Sequence, residues 1–370
     1  MDLWIDKAHT MTEKLIIHAG FPKTGTTSLQ ASLASARESL IAQGVHYPKR
    51  HGSAQHSAAW ALTERVFGWE GRGGKATPIS AWTDLVKEVQ KTKERVLISS
   101  EFLSPATPAQ VKRVKNDLAI EDTTIVFTLR AIAKILPSRY QQSLKKGNVW
   151  GYHDWLKMAL HLDGAPDSKI RFGNYSKILR RWSDVFGIER VKLVVVDESM
   201  PNLIFDSFHD ILEIQSGTLQ KVEDRGLNRS LTWPEAVLLS HLNLAFKDKG
   251  SWNEYATMVR NNIVKSWTGT KAPENAEKIL TPTWAIEAVR GIALKNIDEI
   301  RSLGIEIVGD IELLASTSVP TGENSSSDVI PVELATQSLF ALQKRHKKQL
   351  KLHKRSLVQI ARNLVRKVRS

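Results

Sequence analysis

The sequence predicts an α/β fold: a central parallel sheet flanked by helices, with a helical C-terminal portion and a basic amphipathic tail. Two observations carry this. Short β-branched runs alternate with helix-periodic stretches through the first half of the chain, the pattern of parallel strands joined by crossover helices. Polar side chains (Lys23, Glu101, Arg130 and Asp197) each follow the end of such a run, where an open parallel sheet binds its ligands. A chain of 370 residues, 42% of them hydrophobic, suffices for one large domain or two ordinary ones. It contains no cysteine, which excludes disulfides, thiolate metal sites and a cysteine nucleophile.

Lys14 to Ile17 reads as the first strand and Ser28 to Gln43 as the helix after it. Between them runs His18-Ala-Gly-Phe-Pro-Lys-Thr-Gly-Thr-Thr-Ser28. A strand, a glycine-containing turn and a helix N-terminus in that order make an anion cradle, because backbone N–H groups converge and the helix dipole adds positive charge. Lys23 adds a mobile charge, and Thr24, Thr26, Thr27 and Ser28 add hydroxyls around Gly25. Gly20 and Gly25 have the spacing of a nucleoside-triphosphate loop, G-x-x-x-x-G-K-[ST], but Thr26 stands where its lysine belongs and the lysine is Lys23. A Thr-rich helix cap alone would explain the hydroxyls, not the Pro-Lys-Thr-Gly order.

The remaining elements follow in order. Gly44 to Pro48 is a short extended segment and Lys49 to Gln55 a polar loop. Ser57 to Phe67 reads as a helix with Trp60, Ala61, Val66 and Phe67 toward the core. Gly68 to Pro78, with four glycines, reads as a mobile surface loop, and Trp82, Leu85, Val86 and Val89 mark an amphipathic helix. Arg95–Ser99 is the second strand, Pro108–Leu118 a helix, Thr123–Leu129 the clearest strand, and a helix follows Arg130 through Lys145. Trp150–Leu162 and Ser176–Phe186 are helical, Val191–Val196 is the fourth strand, Pro234–Phe246 and Trp284–Leu303 are later helices, and Ile305–Val308 is a short late strand. Residues 14–312 are read as one domain, 313–332 as a linker and 333–370 as the tail.

The run Pro22-Lys23-Thr24-Gly25-Thr26-Thr27 resembles the 5′-phosphosulfate loop of sulfotransferases that use 3′-phosphoadenosine 5′-phosphosulfate (PAPS). Val126 to Arg130 and Pro137-Ser138-Arg139-Tyr140 resemble the strand–Arg–helix–Ser element with which that family grips the nucleotide's 3′-phosphate, although Ala131 and Ile132 replace the proline of many relatives. Tyr175 to Trp182, Phe186 to Glu189, and Leu227 to Leu231 with Arg229 resemble later segments of bacterial members. The resemblance spans roughly Lys14 to Asp310. It implies a P-loop-like sulfotransferase fold and PAPS as co-substrate. It also implies catalysis without a metal and nucleotide binding by Lys23, Thr24, Gly25, Thr26, Thr27, Ser28, Arg130 and Ser138. The acceptor it implies is a carbohydrate or glycolipid hydroxyl. The proton acceptor stays open between His56, which precedes a helix, and Glu101, which ends a strand; each suits a general base. Trp60, Trp69, Trp150 and Trp252 are candidates to stack on sugar rings, with core packing the commoner fate. His18, His46 and His51 read as structural or solvated, and Arg229 as solvated.

Two other readings stand beside this one. Val194 to Asp197 resembles the strand whose aspartate organises Mg²⁺ in a kinase, but residue 26 argues against it. A nucleotide-binding scaffold acting through the tail is the other. Eleven basic residues and no acidic ones lie between Lys344 and Arg369, so nearly all of the +13 net charge belongs to the tail and does not argue for nucleic-acid binding. From Leu350 onward Leu350, His353, Leu357, Ile360, Ala361, Leu364 and Val368 share a helical face. Such a helix suits an anionic membrane surface or an acidic polysaccharide, and a solvated extension is the bland alternative. Met1 to Glu13 carries three acidic residues and no apolar run of a secretory signal. The expected location is therefore the cytoplasm, including the inner membrane surface.

Overall fold

The computed structural model describes residues 12–49, 55–161, 173–222, 229–325 and 329–347. Its strands are β1 (Leu15–His18), β2 (Val45–His46), β3 (Val66–Phe67), β4 (Lys75–Ala76), β5 (Arg95–Ser99), β6 (Thr123–Leu129), β7 (Val191–Val195) and β8 (Glu306–Val308). Six of them form one parallel sheet in the order β2-β5-β1-β6-β7-β8. The helices through the middle of the chain are α1 (Thr26–Ser35), α2 (Arg37–Ala42), α3 (His56–Leu62), α4 (Ser80–Gln90) and α5 (Pro108–Leu118). They continue with α6 (Ile132–Leu144), α7 (Tyr152–Leu160), α8 (Tyr175–Phe186), α9 (Leu203–Leu212) and α10 (Trp233–Phe246).

Strand periodicity divides the core into two layers. Ile16, Leu97, Val126 and Val194 point to one face, where α1, α2 and α9 bury Leu29, Leu33, Leu40, Phe205 and Phe208. Leu15, Ile17, Ile98, Ile125, Phe127 and Val195 point to the other, where the larger layer includes α3 to α8. All seven residues of β6 are buried, as covering on both faces requires. Neighbouring strands β1 and β6 send their helices α1 and α6 to opposite faces, which opens a crevice at their carboxyl ends.

Three local expectations change. The helix read over Ser28 to Gln43 starts at Thr26 and breaks at Ala36, where the Arg37 guanidinium donates to the Ala34 carbonyl and to the Tyr47 carbonyl (3.2 Å each) and so stabilises the interruption. The helix read over Ser57 to Phe67 ends at Leu62; Glu64 turns the chain with φ 52°, and Val66–Phe67 becomes a strand with Phe67 42% exposed. Part of the glycine-rich stretch that follows is therefore an antiparallel hairpin, β3 with β4. It is pinned by the Trp69 indole donating to the Lys146 carbonyl (2.8 Å) and by Arg72 donating to the Phe246 carbonyl (2.8 Å).

After the sheet, the segment 316–325 is bonded back onto the protein: Thr321 bridges Thr281, and the Asn324 amide pairs with both the N–H and the carbonyl of Leu280 (2.8 Å each). A helical stretch over 332–347 buries Leu334, Ser338 and Ala341, and the Trp267 indole donates to the Ser338 hydroxyl (3.1 Å). The cationic face beginning at Leu350 lies outside the described residues, as do His51 and Leu227–Asn228. Among the described residues no helix is long and apolar enough to cross a membrane.

His18 ends β1 fully buried, its Nδ1 2.9 Å from the Ser99 hydroxyl and its Nε2 3.3 Å from the Thr128 hydroxyl, so it ties β1 to both neighbouring strands. Burial pulls its pKa from 6.5 down to about 3. Across that window the unfolded chain takes up a proton that the folded chain refuses, so stability falls as the pH drops below 6.5. His18→Asn, which cannot titrate, will lose less stability than the wild type between pH 7 and 5, by about 2 kcal/mol in urea unfolding; equal losses would refute the assignment.

Candidate active site

The loop after β1 is zipped to β6: Ala19 N–H donates to the Val126 carbonyl (2.9 Å) and Phe21 N–H to the Thr128 carbonyl (3.2 Å). Gly20 makes this approach possible. A Cβ there would lie 2.5 Å from both His18 Nε2 and Thr128 Oγ1 and 2.7 Å from Thr26 Cγ2. Lys23 and Gly25 then take left-handed backbone angles, φ 73° and 83°. For lysine that conformation is uncommon and marks a position held by its surroundings. No side chain caps α1, so its first N–H groups remain available at the turn.

The four loop hydroxyls divide into two pairs. Thr24 and Thr26 are buried; the Thr24 hydroxyl donates to the Phe21 carbonyl (2.6 Å) and lies 2.7 Å from the Thr128 hydroxyl. Thr24 thus braces the loop from inside, with Thr26 buried beside it. Thr27 and Ser28 face outward with Lys23 and Gly25.

His56 and Glu101, distant in sequence, come together at the end of β5. Gln55 docks on that strand end, with Ser99 N–H donating to its Oε1 (2.7 Å) and its own N–H donating to the Ser99 carbonyl (3.1 Å). This places the first residue of α3 over the strand. His56 Nδ1 sits 2.9 Å from the Ser100 hydroxyl and Nε2 3.6 Å from a Glu101 carboxylate oxygen. Gln30 of α1 donates to the same Glu101 oxygen (3.3 Å) and to Ser99 Oγ (3.1 Å), which links the loop helix to this pair. Burial lowers the His56 pKa below its ordinary 6.5, and the Glu101 charge opposes that. Lys23 is exposed at the cleft mouth, yet the protein packed around it, and then Arg139, pull its pKa below the usual lysine range, with Glu101 again opposing.

Arg130 follows β6, where it pairs with Glu198, while Lys134 bonds the other Glu198 oxygen at 2.8 Å. The bond from Lys134, joined by that from Arg130, holds the Glu198 carboxyl below its usual range. Arg130 Nε is buried without a hydrogen-bond partner. The Ser138 hydroxyl donates to the Ile135 carbonyl within α6 (2.9 Å). Asp197 accepts from the Ser199 N–H (2.8 Å) and hydroxyl (2.7 Å), an Asx turn. Arg229, read as solvated, instead makes a bidentate pair with buried Glu235 (2.7 and 2.8 Å) and donates to the Thr270 carbonyl, closing the N-terminus of α10. Trp252 is 4% exposed and packs between Phe67, Trp69 and Tyr255, so it is a core ring; Trp60 and Trp69 are half-buried and Trp150 is exposed.

Sequence reasoning did not find the cations around this cleft: Arg65, Arg139, Lys145, Lys146 and Arg260. One signal was present, since Arg139 and Lys146 are seven apart and so share a side along α6 and its extension. Burial and then Arg65, Arg139 and Arg260 bring the Lys146 pKa down to about 8. Burial, then Lys23 and Arg260, lowers that of Lys145. Among the described residues no three His, Asp or Glu side chains converge as a metal-holding group.

No protein-family model matches the chain, and no curated protein sequence does. Among solved structures the chain is similar to a sulfotransferase from Alicyclobacillus acidocaldarius, at 14% identity and a TM-score of 0.43, over 78% of this chain and 94% of that one. It is also similar to the sulfotransferase domain from the curacin biosynthetic pathway, at 12% identity and a TM-score of 0.34, over 80% of this chain and 99% of that one.

The tightest test of the loop geometry is Gly20→Ala. Overpacking against His18 and Thr128 will cost about 1–3 kcal/mol in chemical denaturation; an unchanged midpoint would show that the close approach is not obligatory.

Proposed function

We propose that the protein is a PAPS-dependent sulfotransferase that moves a sulfuryl group to a hydroxyl of a carbohydrate or glycolipid. The observation that carries this reading is the meeting of an uncapped helix N-terminus and Lys23 with the His56–Glu101 pair across one crevice. When bound, PAPS supplies the sulfuryl group and a bisphosphorylated leaving nucleotide. The residues fit such a ligand: outward N–H groups, Thr27 and Ser28 offer donors to the 5′ end, and Arg130, with one buried N–H unmet, offers a guanidinium to the 3′-phosphate. Ser138 can join it only by turning its hydroxyl away from Ile135, and Thr24 and Thr26 serve through the backbone.

In this mechanism Lys23 stabilises negative charge that grows on the bridging oxygen, as fixed cations do in phosphoryl transfer. His56 takes the acceptor proton at Nε2, with Nδ1–H directed to Ser100. The imidazolium so formed sits beside the Glu101 carboxylate, which lowers the cost of the charge. Glu101 thereby faces both His56 and Lys23. A kinase reading gains nothing here, because a buried threonine occupies position 26 and the Asp197 carboxylate is engaged by Ser199. Of the tail read over residues 333–370, the basic part beyond the packed Leu334, Ser338 and Ala341 is assigned to contact with an anionic membrane surface or acidic polysaccharide, and the location to the cytoplasm. A non-catalytic scaffold would have no use for the paired His56 and Glu101.

Retention on immobilised 3′,5′-bisphosphoadenosine without metal checks the donor site. Wild-type protein will be held, Lys23→Ala and Arg130→Ala more weakly by tenfold or more; stabilisation by ATP with Mg²⁺ alone would defeat the reading. The pH profile checks the base. His56 must be neutral to act, so kcat/KM rises with pH through its pKa and the acid limb lies below 6.5. Glu101→Gln removes the charge that holds this pKa up, so the limb moves to still lower pH. His56→Ala loses about 10²–10⁴ in rate. An acid limb that stays put in Glu101→Gln would separate the two residues.

A further inference from the structure

Two guanidinium groups stand on an aromatic strip that begins at His56, and the backbone of a third cationic residue, Lys146, is tied to the same strip. The His56 ring meets Phe102 edge-on at 4.9 Å, Phe102 meets Trp60 at 5.1 Å, Trp60 stacks with Phe67 at 5.5 Å, and Phe67 abuts Trp252 at 5.6 Å. Arg65 lies over the Phe102 ring at 4.9 Å, and Arg260 over Phe67 at 5.3 Å and Trp252 at 5.7 Å. Trp69, against Trp252 at 5.7 Å, holds the backbone of Lys146 through its indole N–H. Arg260 is carried by a π-helical stretch, Ala256–Val264, a rare backbone form that is frequent at functional sites.

Among the described residues, Arg65, Lys146 and Arg260 form no ion pair. At Arg65 desolvation outweighs the opposing Glu101 charge. Gathering like charges carries a cost: beyond burial, which is the larger cause, Arg65, Arg139 and Arg260 lower the Lys146 pKa further. An anion recovers that cost. The position separates this group from the proposed donor site: Arg65 follows α3, whose first residue is His56, whereas Arg130 ends β6 and is held by Glu198.

We infer that Arg65, Lys146 and Arg260 bind a negatively charged group on the acceptor, so that the acceptor is an acidic saccharide, carrying a carboxylate or sulfate ester on a sugar next to the one that presents the reacting hydroxyl. Trp60, Phe67 and Phe102, none of them fully buried, supply an apolar surface beside the cations against which a sugar can pack, and guanidinium groups supply paired N–H donors to the anion. Assigning the bound group to an acceptor rests on the sulfotransferase reading; the anion site does not.

Calorimetry without donor tests the site directly, using oligogalacturonate, a sulfated galactan oligosaccharide and a neutral galactan oligosaccharide of equal length. At least one acidic probe will bind tenfold or more tighter than the neutral one. Arg65→Gln and Arg260→Gln will each weaken it about tenfold, while Arg65→Lys, which keeps the charge, will retain most of the affinity at an unchanged melting temperature. Affinity for 3′,5′-bisphosphoadenosine will be unaffected by these substitutions. Equal binding of neutral and acidic probes overturns the inference. So does a parallel loss of bisphosphoadenosine affinity in the variants, which would assign the cations to the nucleotide. If bisphosphoadenosine fails to bind the wild type while an acidic probe binds through Arg65 and Arg260, the transferase reading falls and the anion site stands.

Discussion

The candidate site depends on one close approach, the backbone of Gly20 against β6. With no side chain at residue 20, His18 can reach Thr128 and Ser99, Thr24 can reach Thr128, and the loop lies flat across the strand ends. Everything outward-facing follows from that inner seam. Thr24 is consumed in bracing, with Thr26 buried beside it, which leaves Lys23 in a left-handed conformation and the start of α1 open toward the crevice. Close packing makes such a seam intolerant of even one added methyl group.

The second organising device is the end of β5. Ser99, Ser100 and Glu101 are consecutive, and each serves a different neighbour: Ser99 the buried His18 and Gln30, Ser100 the imidazole of His56, Glu101 the cleft. Gln55, just before α3, and Gln30 of α1 act as clamps from two sides, so the geometry of the His56–Glu101 pair is set by amide side chains that themselves carry no charge. A polar network so completely paired within the interior resists rearrangement.

Much of this architecture was legible in the residues. Strands β1, β5, β6 and β7 announce themselves because parallel strands buried on both faces are continuous apolar runs. The loop was legible because its chemistry is local: glycine spacing, lysine and hydroxyls within eleven residues. What could not be read depended on distant partners. The break at Ala36 is stabilised by the carbonyl of Tyr47, and Phe67 leaves the helix for a hairpin that docks on Lys146 and Phe246. Arg229 looked solvated because its partner, Glu235, belongs to a helix cap. The cations of the cleft arise from three separate segments, and only Arg139 and Lys146 share a periodicity. His56 and Glu101 were each visible as bases, but their proximity comes from Gln55 docking on Ser99, which no spacing encodes.

The Arg130–Glu198–Lys134 triad has one more consequence. A guanidinium that already holds a carboxylate is not an empty receptor; any incoming anion must take it from an occupant of the same chain. Glu198 carries a single negative charge and is exposed on the turn after β7, so by Coulomb's law a doubly charged anion competes with it more strongly than a singly charged one. The triad thus keeps Arg130 paired at the end of the sheet, so that arrival of any anion there is an exchange of partners rather than the filling of a vacancy.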